Sequence, residues 1–136
     1  MIKKKTMPKT AKKPTRSKLV KKLDVVFSRY IRLSNADKRG MCTCVTCKRQ
    51  YHWKNIQAGH FMSRKNYSTR WLEENVKPQC VGCNMFKSGE QYKFSLYLGN
   101  KLSEELHTKS QQITKFTNDE LQDMIDHYSA KVKKLS

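Results

Sequence analysis

The sequence predicts a small α+β domain in which helices flank a core tied together by a metal ion. Three observations lead there. Two C-x2-C pairs, Cys44/Cys47 and Cys80/Cys83, bracket a stretch of strand-forming residues. Apolar residues recur at helical spacing on both sides of that stretch. A chain of 136 residues has room for one domain, with a core small enough to need a cross-link. Two such pairs in one short chain are the pattern of a four-thiolate zinc site, tetrahedral and closed to water, which holds a fold rather than performing chemistry.

Charge narrows the function classes. The chain carries 29 Lys+Arg against 11 Asp+Glu, a net charge of +18, so a polyanion is the expected partner and nucleic acid the commonest one. A membrane surface is the rival polyanion, but no membrane partner is expected, since no long apolar run exists and Met1-Ile-Lys-Lys-Lys is not followed by a signal-type segment. A soluble, cytoplasmic protein is expected. In a reducing compartment the five cysteines read as metal ligands rather than disulfides. Cys42 offers an alternative register, but the two-residue gap between Cys44 and Cys47 suits a zinc knuckle better and leaves Cys42 as the spare.

Residues 1–16 are lysine-rich with two prolines and read as a disordered basic arm, either a solubilising tail or a non-specific phosphate grip. Residues 17–136 form one domain. In 17–39, Leu19, Val20, Leu23, Val26, Phe27, Tyr30 and Ile31 make one helix face. The core follows over 40–100. Val45, Tyr51, Trp53, Ile56 and Phe61 favour short strands, with the first knuckle in a tight turn. Residues 62–74 lack a period and read mostly as loop, and 75–79 as a short extended segment that Pro78 keeps from being a central strand. The second knuckle opens a helix bearing Asn84 and, one turn on, Lys87. Beyond Gly89 a helix with Tyr92, Phe94, Leu96, Tyr97 and Leu98 ends at Gly99-Asn100. Over 101–136, Ser103 caps a helix with Leu106 and Ile113 inward, and Thr117-x-x-Glu120 is a capping box for a last helix with Leu121, Met124, Ile125, Tyr128, Val132 and Leu135 on one stripe. His107 and His127 read as surface residues.

His60 stands out among the histidines. It ends a predicted strand, follows a glycine, and has arginine and lysine nearby; Asn84 directly follows a zinc cysteine, so the metal would fix its position. His60 and Asn75 between the two knuckles, and Asn84 directly after the second, resemble in that order the HNH endonuclease family. Ala58-Gly-His-Phe61, Thr69-Arg-Trp71, the run from Asn75 to Asn84, Lys87-Ser-Gly89 and Phe27-Ser-Arg-Tyr-Ile-Arg32 further resemble the phage NinG (Rap) recombination proteins, which are branched-DNA endonucleases. That resemblance covers roughly residues 17–100.

The resemblance implies a zinc-braced ββα-metal (HNH-like) core with flanking N-terminal and C-terminal helices. It implies His60 as general base, Asn75 as the residue that orients it, and Asn84 as ligand of a catalytic Mg²⁺ or Mn²⁺. Lys87, Arg64, Lys65 and Arg70 would bind DNA phosphates. The expected activity is hydrolysis of phosphodiester bonds in branched recombination intermediates, by a homodimer whose terminal helices supply the interface. Many HNH proteins place an acidic residue or a His, a second metal ligand, just before the base. Gly59 leaves that place vacant, so Ser63, Asn66 or DNA phosphate and water would have to serve. Two alternatives stand beside this: a non-catalytic zinc-ribbon DNA-binding protein, and an HNH nicking enzyme that reads sequence.

Overall fold

The computed structural model describes residues 13–136, so residues 1–12 of the basic arm expected over 1–16 lie outside the described residues. Helix α1 spans Arg16–Ser34, with the Thr15 side chain accepting from the Lys18 N–H at its start. Leu19, Leu23, Phe27 and Ile31 are buried at four-residue spacing, which puts them on one face. The helix stops short of residue 39 because Asp37 offers its neighbours a competing turn. Its Oδ1 accepts from the N–H groups of Arg39 and Met41.

Two small antiparallel hairpins follow. Strand β1 (Met41–Thr43) pairs with β2 (Gln50–His52), and the first knuckle occupies the turn between them. Strand β3 (Gln57–His60) pairs with β4 (Val76–Gln79), with His60 opposite Val76. Pro78 costs nothing in β4, since a two-stranded sheet has only edges.

The segment expected as loop is more structured than its composition indicates. It contains a one-turn helix α2 (Tyr67–Arg70) and a 3-10 turn (Glu73–Asn75). Four helical residues are too few to show a period. What holds them is tertiary: Trp71 packs at a tilt against Tyr67 and edge-on against Phe116, and Glu73 accepts hydrogen bonds from the hydroxyls of Tyr30 and Tyr128.

After β4 the expected α-helix is a single π-helical turn, Gly82–Phe86. It ends there because Ser88, Gly89 and Glu90 all take positive φ and reverse the chain. Helix α3 spans Gln91–Leu98 and α4 Asn100–Ser110, separated only by Gly99 at φ +89. Gly99, not Ser103, caps α4, and Ser103 lies inside it. Ile113, expected inward, is 94 % exposed, and of the bulky residues on α3 only Phe94 is fully buried. Helix α5 (Asn118–Leu135) begins with the expected capping box, both reciprocal bonds being present. Its buried residues Leu121, Ile125 and Tyr128 meet the α1 stripe, with Trp71 and Val76, in the main core. Most of the apolar stripe of α5 is thus packed within the chain, with Leu135 at its end left exposed. Among the described residues, no helix is long and apolar enough to cross a membrane.

Gly59 is a packing glycine. A Cβ there would lie 2.1 Å from Oε1 and 2.8 Å from Cβ of Gln79. That glutamine is fully buried and is held by donation from its Nε2 to Thr46 and to the Gly89 carbonyl. A side chain at the position before His60 would therefore meet Gln79 in the fold, a packing reason for the glycine that sequence does not show. Gly59→Ala should lower stability by about 1–3 kcal/mol, the usual cost of overpacking, read as a lower denaturant midpoint. Unchanged stability would show that Gln79 can move aside.

Candidate metal centre and histidine cleft

The Sγ atoms of Cys44, Cys47, Cys80 and Cys83 all lie within 4.8 Å of one another. Tetrahedral zinc with Zn–S near 2.3 Å needs sulfur atoms about 3.8 Å apart, and Cys47 and Cys80 stand 3.8 Å apart. Backbone N–H groups of Cys47 and Cys80 point at the Cys44 sulfur, and that of Cys83 at the Cys80 sulfur. Burial pushes the Cys44 thiol up, but these N–H groups outweigh it and hold it down to about 6. Burial, with neighbouring thiols, pushes Cys83 up to about 12. A bound cation would deprotonate all four. The donor set thus fits a structural zinc. Cys42 is outside the cluster, its thiol donating to the Arg32 carbonyl, in keeping with its reading as the spare cysteine.

A cleft of 1030 Å³ opens beside this centre, walled by α1, β3, the loop after β3, the π-helical turn and α4. His60 and Asn84 both line it. Strand β3 delivers His60 at its end. The imidazole Nε2 lies 2.9 Å from the Arg70 carbonyl oxygen. A carbonyl only accepts, so Nε2 carries the proton and Nδ1 keeps its lone pair. Burial is the main reason the His60 pKa is lowered, and the charges of Arg64 and Arg70 add to it. The Arg70 carbonyl and Asp24 oppose the shift but do not cancel it.

Asn75 makes no hydrogen bond to His60. It is fully buried, donates to the carbonyls of Met62 and Thr69, and accepts from the Met62 N–H. It therefore fixes the loop that carries Arg70, and reaches His60 only through that carbonyl. Asn84 donates Nδ2 to Gln57 Oε1, which leaves its own Oδ1 uncommitted.

The basic residues divide. Arg64 lines the cleft and is well exposed, as is Lys65. Arg70 does not present its charge to solvent; its guanidinium forks onto Asp24, which also accepts from Trp71 Nε1. Lys87 is exposed but is not among the cleft-lining residues, because the π-helical turn ends before it. Sequence reasoning missed Asp24, Ser28 and Arg32, which line the cleft from α1, and His107, which lines it from α4. The four-residue spacing of the first three was the available signal. Ser63 and Asn66 also line the cleft.

Helices packed around two small hairpins, with a four-cysteine cluster at their junction, define a mixed α+β protein able to hold a structural zinc. The family model described as bacteriophage lambda NinG protein matches residues 2–136, so the chain belongs to the NinG family of recombination-associated phage proteins. No curated protein matches it, and no solved structure does.

If these four cysteines form the zinc site, Cys44→Ser should abolish stoichiometric zinc and lower the melting temperature, while Cys42→Ser should keep the metal. Elemental analysis and melting curves check both. Zinc lost from Cys42→Ser and kept by Cys44→Ser would mean the other register.

Proposed function

We propose that this protein is a metal-dependent DNA endonuclease of the HNH type that cuts branched recombination intermediates. The observation that carries the reading is His60: a half-buried imidazole whose Nε2 is committed to a carbonyl and whose Nδ1 is free, on a cleft shared with Asn84. A strand that ends at His60, pairs with β4 and is followed by a turn bearing Asn84 supports a ββα-metal reading.

In this reading Nδ1 of neutral His60 takes a proton from the water that attacks phosphorus. The Arg70 carbonyl holds the imidazole and can stabilise the imidazolium that forms. Asn75 keeps that carbonyl in place. Asn84 Oδ1 is a hard oxygen donor of the kind Mg²⁺ and Mn²⁺ accept. Such an ion, when bound, supplies stabilisation of charge on the phosphorus oxygens and the leaving group. Arg64, Lys65 and Lys87, all exposed, contribute to a positive field along which a phosphate backbone can lie. The preference for branched DNA rests on the family. A homodimer would suit a four-way substrate, through surface other than the α5 stripe.

One observation favours the zinc-ribbon binding module instead. Asp24 is the sole carboxylate lining the cleft among the described residues, and it is engaged by Arg70 and Trp71, so the cation would rely on one amide oxygen plus water and phosphate.

His60→Ala separates these readings. Binding comes from many phosphate contacts, so affinity for branched DNA should stay near parental, while cleavage should fall by a factor on the order of 10² or more. Parental cleavage by the folded variant would remove His60 from the mechanism. The lowered His60 pKa places the acid limb of kcat/KM below the ordinary histidine value of 6.5. The sign for stability agrees. The unfolded chain binds the proton first, so the contribution of neutral His60 is complete above 6.5 and is lost as pH falls towards the lowered value.

A further inference from the structure

The α1 wall of the cleft contains a cation with no counter-ion. Asp24, Ser28 and Arg32 follow one another at four-residue spacing and all three line the cleft. Asp24 is engaged chiefly by the buried Arg70 fork, and the exposed Arg64 lies 3.8 Å from the same carboxylate. Arg32 is different. Its Nε donates to the carbonyl and hydroxyl of Ser28, one Nη1 proton goes to the Trp53 carbonyl, and its guanidinium lies 5.5 Å from the centre of the Trp53 ring. No carboxylate pairs with it among the described residues, and residues 1–12 contain no acid at all. Arg29 adds a second positive charge nearby.

A guanidinium has five N–H donors. The Ser28 and Trp53 bonds use two of them and fix the plane of the fork, leaving the Nη2 edge uncommitted. A partly buried cation fixed in orientation, facing an open cleft and lacking an anion, is matched to an oxyanion supplied from outside. In a chain of net charge +18 the abundant oxyanion partner is a nucleic-acid phosphate.

We propose that Arg32 is the phosphate-binding arginine of this cleft, taking a DNA phosphodiester oxygen on its free guanidinium edge. The phosphate-binding role expected of Arg70 falls to it in this reading. The inference rests on the reading that DNA enters the cleft, but not on cleavage there. Trp53 and Ser28 are then positioning residues that aim the fork.

The test uses the full-length zinc-loaded protein, a labelled four-way DNA junction, and three variants: Arg32→Gln, Arg32→Lys and, as an exposed control, Arg39→Gln. Binding is measured against salt concentration with Ca²⁺ in place of Mg²⁺, and cleavage at saturating DNA with Mg²⁺ or Mn²⁺. Arg32→Gln should reduce the slope of log affinity against log salt by about 1, the loss of one phosphate contact. It should also slow saturated cleavage by about 10², the scale for removing a preorganised charge donor. Arg32→Lys keeps the charge, and so the slope, but loses the fork. It should fold, bind several-fold more weakly and cleave about tenfold more slowly. Arg39→Gln should leave saturated cleavage unchanged. If Arg32→Gln does not fold, the Arg32→Lys affinity decides. A folded Arg32→Gln with parental slope, or an Arg32→Lys with parental affinity and rate, overturns the proposal. If the parent protein cuts nothing, the endonuclease reading fails by itself, and the slope and affinity still decide the role of Arg32.

Discussion

The convergence of four cysteine sulfurs is the constraint on which the rest of the structure depends. It joins the turn of the first hairpin to the end of β4, segments separated by more than thirty residues in the chain. The Cys80 N–H on the Cys44 sulfur and the Val45 N–H on the Pro78 carbonyl reinforce the same junction. Because Asn84 follows Cys83 directly, a metal that fixes the sulfur also fixes the asparagine at the rim of the cleft. A core this divided, with the α1–α5 cluster on one side and the small Phe61–Phe94 cluster on the other, gains from a cross-link between its parts.

A second chain of dependence leads to His60 from the opposite direction. Helix α1 presents Asp24, which holds the Arg70 fork and the Trp71 indole, and these place the Arg70 carbonyl against His60. Asn75 closes the same loop from beneath. The histidine is thus set by strand β3, by α1 through an ion pair, and by a buried amide. This division of labour commits the Arg70 guanidinium to Asp24, while Arg32 has no carboxylate partner among the described residues.

Local patterns were legible in the sequence wherever a local rule determined the outcome. The knuckle spacing marked Cys44, Cys47, Cys80 and Cys83, four-residue periodicity marked the buried face of α1, and Thr117-x-x-Glu120 marked the start of α5. Pairings across the chain were not legible. Asp24 meets Arg70 from 46 residues away, and nothing near either residue announces it. Gly59 looked like a missing ligand because sequence does not show which way its absent side chain would point; the β3–β4 register aims it at Gln79. Lys87 was assigned a helical face that the positive φ of Ser88, Gly89 and Glu90 removes, and for two of those three residues composition does not favour that conformation.

Incision of DNA by the zinc-loaded protein is the most direct measure of the account. A labelled four-way junction and a linear duplex of matching sequence would be incubated with Mg²⁺ and, separately, Mn²⁺, and the strands resolved on a denaturing gel. The account predicts cation-dependent cuts in the junction near its branch point, with the duplex cut far less. A protein that binds the junction yet leaves every strand intact under both cations would contradict it and make the four-cysteine centre the support of a binding module.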